Sequence, residues 1–103
     1  MPLGRLLWAA HSADPTGWWC VGEVDFTTRD EWSAVLGELP RASDVHLDLS
    51  QVRFIDAHGT SLLVAAAQDA GADRRFVLHH PPAAMLRVLQ QFWPSVPTIE
   101  VAR

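Results

Sequence analysis

Asp56 stands between an apolar run that ends at Phe54-Ile55 and a second one that begins at Leu62, with Ala57, His58, Gly59, Thr60 and Ser61 in between. An acid at the junction of a strand-like and a helix-like segment can accept hydrogen bonds from the first free N–H groups and sits well in the positive end of the helix dipole. Asp56 is therefore an N-cap candidate, and a cap of this kind can also touch a partner. Gly59 in the first turn bares the backbone to close approach by a neighbouring chain. A phosphate placed there would meet favourable dipole charge, and its charge of about −2 and its bulk would alter any interface built on the same turn. The spacing thus predicts an exposed turn from Asp56 to Thr60 between buried elements, with Phe54, Ile55 and the "LLVAAA" run in the core.

Other side chains invite chemistry with less support. His58 can be read as a phosphoryl acceptor, as a proton sensor with an unperturbed pKa of ~6.5, or as a plain exposed histidine. Thr60 and Ser61 carry hydroxyls in the first helical turn, where capping alone accounts for them. His46, His79 and His80 come with no recognisable ligand interval, so no metal is expected. Asp25 and Glu23 form a carboxylate pair without a nucleophile or a phosphate-cradling glycine loop, which favours strand-end capping over catalysis. Trp18 and Trp19 are adjacent and so point to opposite faces of a strand, and an exposed tryptophan marks an interface.

The elements that must position these residues can be read from periodicity. Leu6 to Trp8 and "WWCVGEV" read as two strands about an Asp14-Pro15-Thr16-Gly17 turn. Trp32, Val35, Leu36 and Leu39 fall on one helical face, with Thr27 or Thr28 as cap and Pro40 as stop. Val45, Leu47 and Leu49 alternate with His46 and Asp48 as a half-buried strand that "VRFI" extends. "TSLLVAAAQDAGA" reads as a helix buried on nearly every side and ending near Gly71. "RFVLHH" is a strand, Met85, Leu86, Leu89, Phe92 and Trp93 mark a third helix up to Pro94, and "TIEVA" closes as a short strand. The order β-β-α-β-α-β-α-β predicts an α/β fold with a mixed, largely parallel sheet.

The totals narrow the partners. A chain of 103 residues, 49% hydrophobic, fits a single domain over residues 1–103. Twelve acids face eight arginines and no lysine, for a net charge of −4, so neither nucleic acid nor an acidic membrane is an expected partner. Cys20 is alone, which excludes an internal disulfide and suits a reducing compartment. The opening apolar run is too short for a secretory signal and no stretch nears the ~20 residues of a bilayer span, so a cytoplasmic protein is expected.

Over Trp18 to Phe92, "GEVDFTTRDEWSAVL" and "VHLDLSQVRFIDAHGTSLLVAAA" resemble the STAS domain, the fold shared by bacterial anti-sigma factor antagonists and the tails of sulphate transporters. The resemblance rests on Gly22-Glu23-Val24-Asp25 before the first helix and on Phe54-Ile55-Asp56, two residues, Gly59 and an apolar helix. It implies a non-enzymatic, cofactor-free module of transcription regulation that binds an anti-sigma factor with a serine-kinase-like fold through Asp25, Asp56, Ala57, His58, Gly59 and Thr60. In such antagonists the residue after the acid is usually a serine that the partner phosphorylates. Here it is Ala57, which has no oxygen to accept a phosphoryl group, so the usual switch is missing unless His58, Thr60 or Ser61 replaces it. The alternative is a sensory or scaffolding STAS domain that binds a small ligand, for instance in a pocket lined by Trp18 or Trp19, or a neighbouring regulatory domain.

Overall fold

A computed structural model of the chain describes residues 7–12, 17–39, 44–69 and 74–102. Eight elements follow in the expected order: β1 (Leu7–Ser12), β2 (Gly17–Val24), α1 (Arg29–Glu38), β3 (Val45–Ile55), α2 (Ala57–Asp69), β4 (Phe76–His79), α3 (Ala83–Phe92) and β5 (Ile99–Ala102). The five strands form one sheet in the order β1-β2-β3-β4-β5. β1 pairs antiparallel with β2, and β2–β3, β3–β4 and β4–β5 are parallel. The α/β class and the mixed, largely parallel sheet are as the periodicities predict. Asp14, Pro15, Thr16, Pro40 and Gly71, read as turn and stop residues, lie outside the described residues.

Because each parallel strand lies beside its predecessor, every helix is a crossover between neighbours. Such connections share one hand, which places α1, α2 and α3 on the same face of the sheet. The core agrees: Cys20, Val24, Leu47, Leu49, Phe76 and Leu78 from the strands pack with Trp32, Leu63, Val64, Ala67, Met85 and Leu89 from the helices in one cluster. Trp18 packs against this cluster while Trp19 is exposed on the other face, as adjacent strand residues require.

Two expectations need correction. Phe54 is 45% exposed instead of buried. The β2–β3 register slips twice, between Trp19 and Val21 and between Gly22 and Glu23. Each slip inserts an extra β3 residue, and the alternation that sends Leu47 and Leu49 inward is lost before Phe54 is reached. Gly22 sits at the second slip with φ 126°, a backbone state that a side chain would oppose. The second correction concerns α2, which buries one face but leaves Ala57, His58, Ala65, Gln68 and Asp69 exposed. Its alanines are small enough to sit on either side, so their number does not make it a wholly internal helix.

Candidate functional site

The site is built where β2 and β3 end side by side. Asp56 N–H donates to Val24 O at 3.0 Å, which ties the two strand ends together immediately before α2. Asp56 Oδ1 then accepts the Gly59 N–H at 2.7 Å, the N-cap bond anticipated for this acid, and Asp56 O accepts both the Thr60 N–H and the Thr60 hydroxyl at 3.0 Å. Gly59 O in turn accepts Trp32 Nε1–H at 2.9 Å in the interior, so the first turn of α2 is fastened to α1 as well.

Gly59 and Thr60 are both buried. A Cβ on Gly59 would come within 2.6 Å of Val24 Cγ1 and 3.1 Å of Ile55 Cγ1. The close approach that glycine permits is therefore to this chain's own β2 and β3, which corrects the expectation that Gly59 and Thr60 line an outer surface. Ala57 and His58 are exposed and Asp56 is half-buried, so the outward part of the turn runs from Asp56 to His58. Ser61 is half-buried, its hydroxyl donating to His58 O at 2.6 Å.

Asp25, the residue immediately after β2, completes the site. Its Oδ1 accepts the Thr27 N–H at 2.8 Å and the Thr27 hydroxyl, while Asp25 N–H donates to Thr28 Oγ1 at 3.0 Å. The Thr28 hydroxyl donates to Glu23 O at 2.7 Å. Thr28 is the residue before α1, but its side chain closes the β2–α1 bend instead of capping a helical N–H. Asp25 and Asp56 thus shape two neighbouring strand-to-helix turns.

Two aromatic residues that the sequence did not assign to the site stand on the same end of the sheet. Phe26, next to Asp25, is 73% exposed, and Phe54, in register with Glu23, is the side chain displaced outward by the β3 slips. Charges here are mostly acidic: Glu23, Asp25, Asp30, Glu31 and Asp56, against Arg29 and Arg53, the latter 3.7 Å from Glu23. Ala57 carries no oxygen on its side chain, and no group of three potential metal ligands converges among the described residues.

Elsewhere on the sheet, His46, Asp48 and His79 lie on β3 and β4, away from this turn. Burial pushes the Asp48 carboxyl up, but the Ser50 N–H and hydroxyl and the charges of His80 and His79 outweigh it and hold the group below its ordinary value. Burial, with the Asp48 charge adding to it, pushes the Cys20 thiol up to about 12.

With fold and turn established, comparison with known proteins is informative. A family profile described as "Mlab, STAS domain" matches residues 21–92. The chain belongs to the STAS domain family. None of the curated proteins matches it. Among solved structures it is similar to the anti-sigma factor antagonist SpoIIAA in its unphosphorylated form, at 18% identity and a TM-score of 0.57 over 95% of this chain and 89% of that one. At that identity the likeness is one of fold. Among the described residues no helix is long and apolar enough to cross a membrane.

Proposed function

We propose that this chain is a non-enzymatic interaction module that captures a protein partner with the end of the sheet around Asp25 and Asp56, in the manner of an anti-sigma factor antagonist. The observation that carries the reading is the exposure of Ala57 and His58 on a rigidly tied helix start, flanked by the exposed rings of Phe26 and Phe54. Exposed aromatics on an acidic rim suit a partner that offers apolar sockets edged with basic groups. Gly59 and Thr60 act from beneath, by holding the turn in place. The partner class that the family resemblance favours is a cytoplasmic anti-sigma factor with a serine-kinase-like fold. With alanine in the usual acceptor place, the interface keeps one charge state.

The test uses an anti-sigma kinase encoded beside this chain, with ATP. The natural chain is expected to take up no phosphoryl group, and Ala57→Ser to gain one. Ala57→Asp should fold and bind more weakly, because a carboxylate joins an acidic rim at the contact. Phosphorylation of the natural chain at His58, Thr60 or Ser61, or undiminished binding by a folded Ala57→Asp variant, overturns the proposal.

The sensory reading has one observation on its side, an apolar groove of about 570 Å³ between α3 and β5. Leu86, Leu89, Trp93 and Ile99 line it, and neither Trp18 nor Trp19 does.

A further inference from the structure

The sheet ends at β5, and β4 separates this edge from β3 and its Asp56 turn. Phe76 N–H donates to Thr98 O at 2.7 Å, so Thr98 and, by alternation, Glu100 aim their backbone groups at β4. Ile99 and Val101 aim theirs outward. Val96 O takes the Ile99 N–H at 3.0 Å, which leaves the Ile99 carbonyl and both backbone groups of Val101 along the edge. Among the described residues no strand pairs with that side. Side chains alternate between the two faces: Ile99 and Val101 line the groove beside α3, and Glu100 stands exposed on the opposite face.

The groove holds about 570 Å³, and its lining, which includes Leu86, Leu89, Gln90 and Trp93, has no charged side chain. Outward backbone groups beside an apolar groove are what an extended chain needs to join a sheet, with main-chain bonds to the edge and alternate side chains in the groove. We propose that β5 accepts, as an added strand, an extended segment of a partner protein in which apolar residues alternate with a basic one. The apolar side chains enter the groove, and the basic one lies beside Glu100 on the other face. Glu100 meets Arg75 at 2.9 Å, yet its side chain is 51% exposed, which gives the newcomer room. The same acid argues against a second copy of this chain. In the antiparallel register that pairs Ile99 with Val101 of another copy, Glu100 faces Glu100, and like charges directly opposite repel. β5 spans four residues, so the segment that fits is equally short, with about two apolar positions.

The test is fluorescence polarisation of labelled, end-capped peptides with the full chain. The probe alternates leucine with arginine; its controls replace arginine by glutamate, group the leucines together, or methylate the backbone nitrogens while keeping every side chain. The arginine probe should bind several-fold more tightly than the glutamate one, the worth of one or two cross-strand charge pairs, and the grouped and N-methylated forms should not bind. Glu100→Arg should reverse the order of the first two. Val101→Pro, which takes away the outward N–H, should lose the probe. The N-methylated control tests strand pairing without any variant, and so does hydrogen exchange of the unmutated chain, in which the Val101 amide should become protected when the probe is added. Equal binding of the N-methylated peptide would make the groove a site for an apolar small molecule. Protection of Val101 without peptide, together with dimers in sedimentation, would make the occupant a second copy. Either result, or no binding of the alternating probe, overturns the proposal.

Discussion

Asp56 carries three connections on one residue: its N–H to β2, its carbonyl to Thr60 and its carboxylate to Gly59. A side-chain substitution removes only the last. Asp56→Ala is therefore expected to destabilise the fold by about 1 kcal/mol, and up to about 2 kcal/mol, the usual cost of a lost N-cap. Asp56→Asn keeps an acceptor oxygen in the same place and should lose less. Urea unfolding of the two variants beside the natural chain checks this, and equal losses would show that charge in the helix dipole outweighs the hydrogen bond. The cap was legible in the sequence because it is local, an acid three residues before the N–H it receives. The bond from the Trp32 indole to Gly59 O was not, since it joins residues 27 apart that meet only when α1 and α2 pack together.

At the scale of elements, α2 lies on β2 and β3 only as closely as Gly59 lets it. Alanine has the better helix propensity by about 1 kcal/mol. Its Cβ would sit 2.6 Å from Val24 Cγ1, inside contact distance, so α2 must lift or Val24 must move. Overpacking of this kind costs about 1–3 kcal/mol, and the net expectation for Gly59→Ala is a loss. A lowered Tm with weakened partner binding fits that expectation, whereas a raised Tm would mean that Val24 yields freely. The order of elements was readable because period 2 and period 3.6 alternate cleanly along the chain. The outward turn of Phe54 was not, because apolar character alone cannot reveal two slips of register against β2. The buried side of α2 was half-legible: Leu63, Val64 and Ala67 follow helical spacing, but Ala65 and Ala66 give no sign of which faces water.

For the whole molecule, the lack of lysine and tyrosine has a consequence at alkaline pH. These are the residues that ordinarily titrate between about pH 9 and 12, while arginine stays charged throughout. Cys20 is fully buried in the core, and its thiol moves from an ordinary 9.0 to about 12 on folding. The unfolded chain therefore releases the thiol proton above pH 9, whereas the folded chain holds it until about 12. With fewer protons bound in the unfolded state, unfolding becomes easier as pH rises, by at most about 1.4 kcal/mol per unit. The contribution is fully present below pH 9 and is lost as pH climbs toward 12. Urea unfolding under reducing conditions at a series of pH values above 8 should show this decline in the natural chain. Cys20→Ala should start lower because of the cavity it leaves, and should then run nearly flat over the same range. The slope separates the two effects: a cavity shifts the whole curve, and only an ionising thiol bends it. A decline of equal steepness in both proteins would place the alkaline weakness elsewhere and remove Cys20 as its cause.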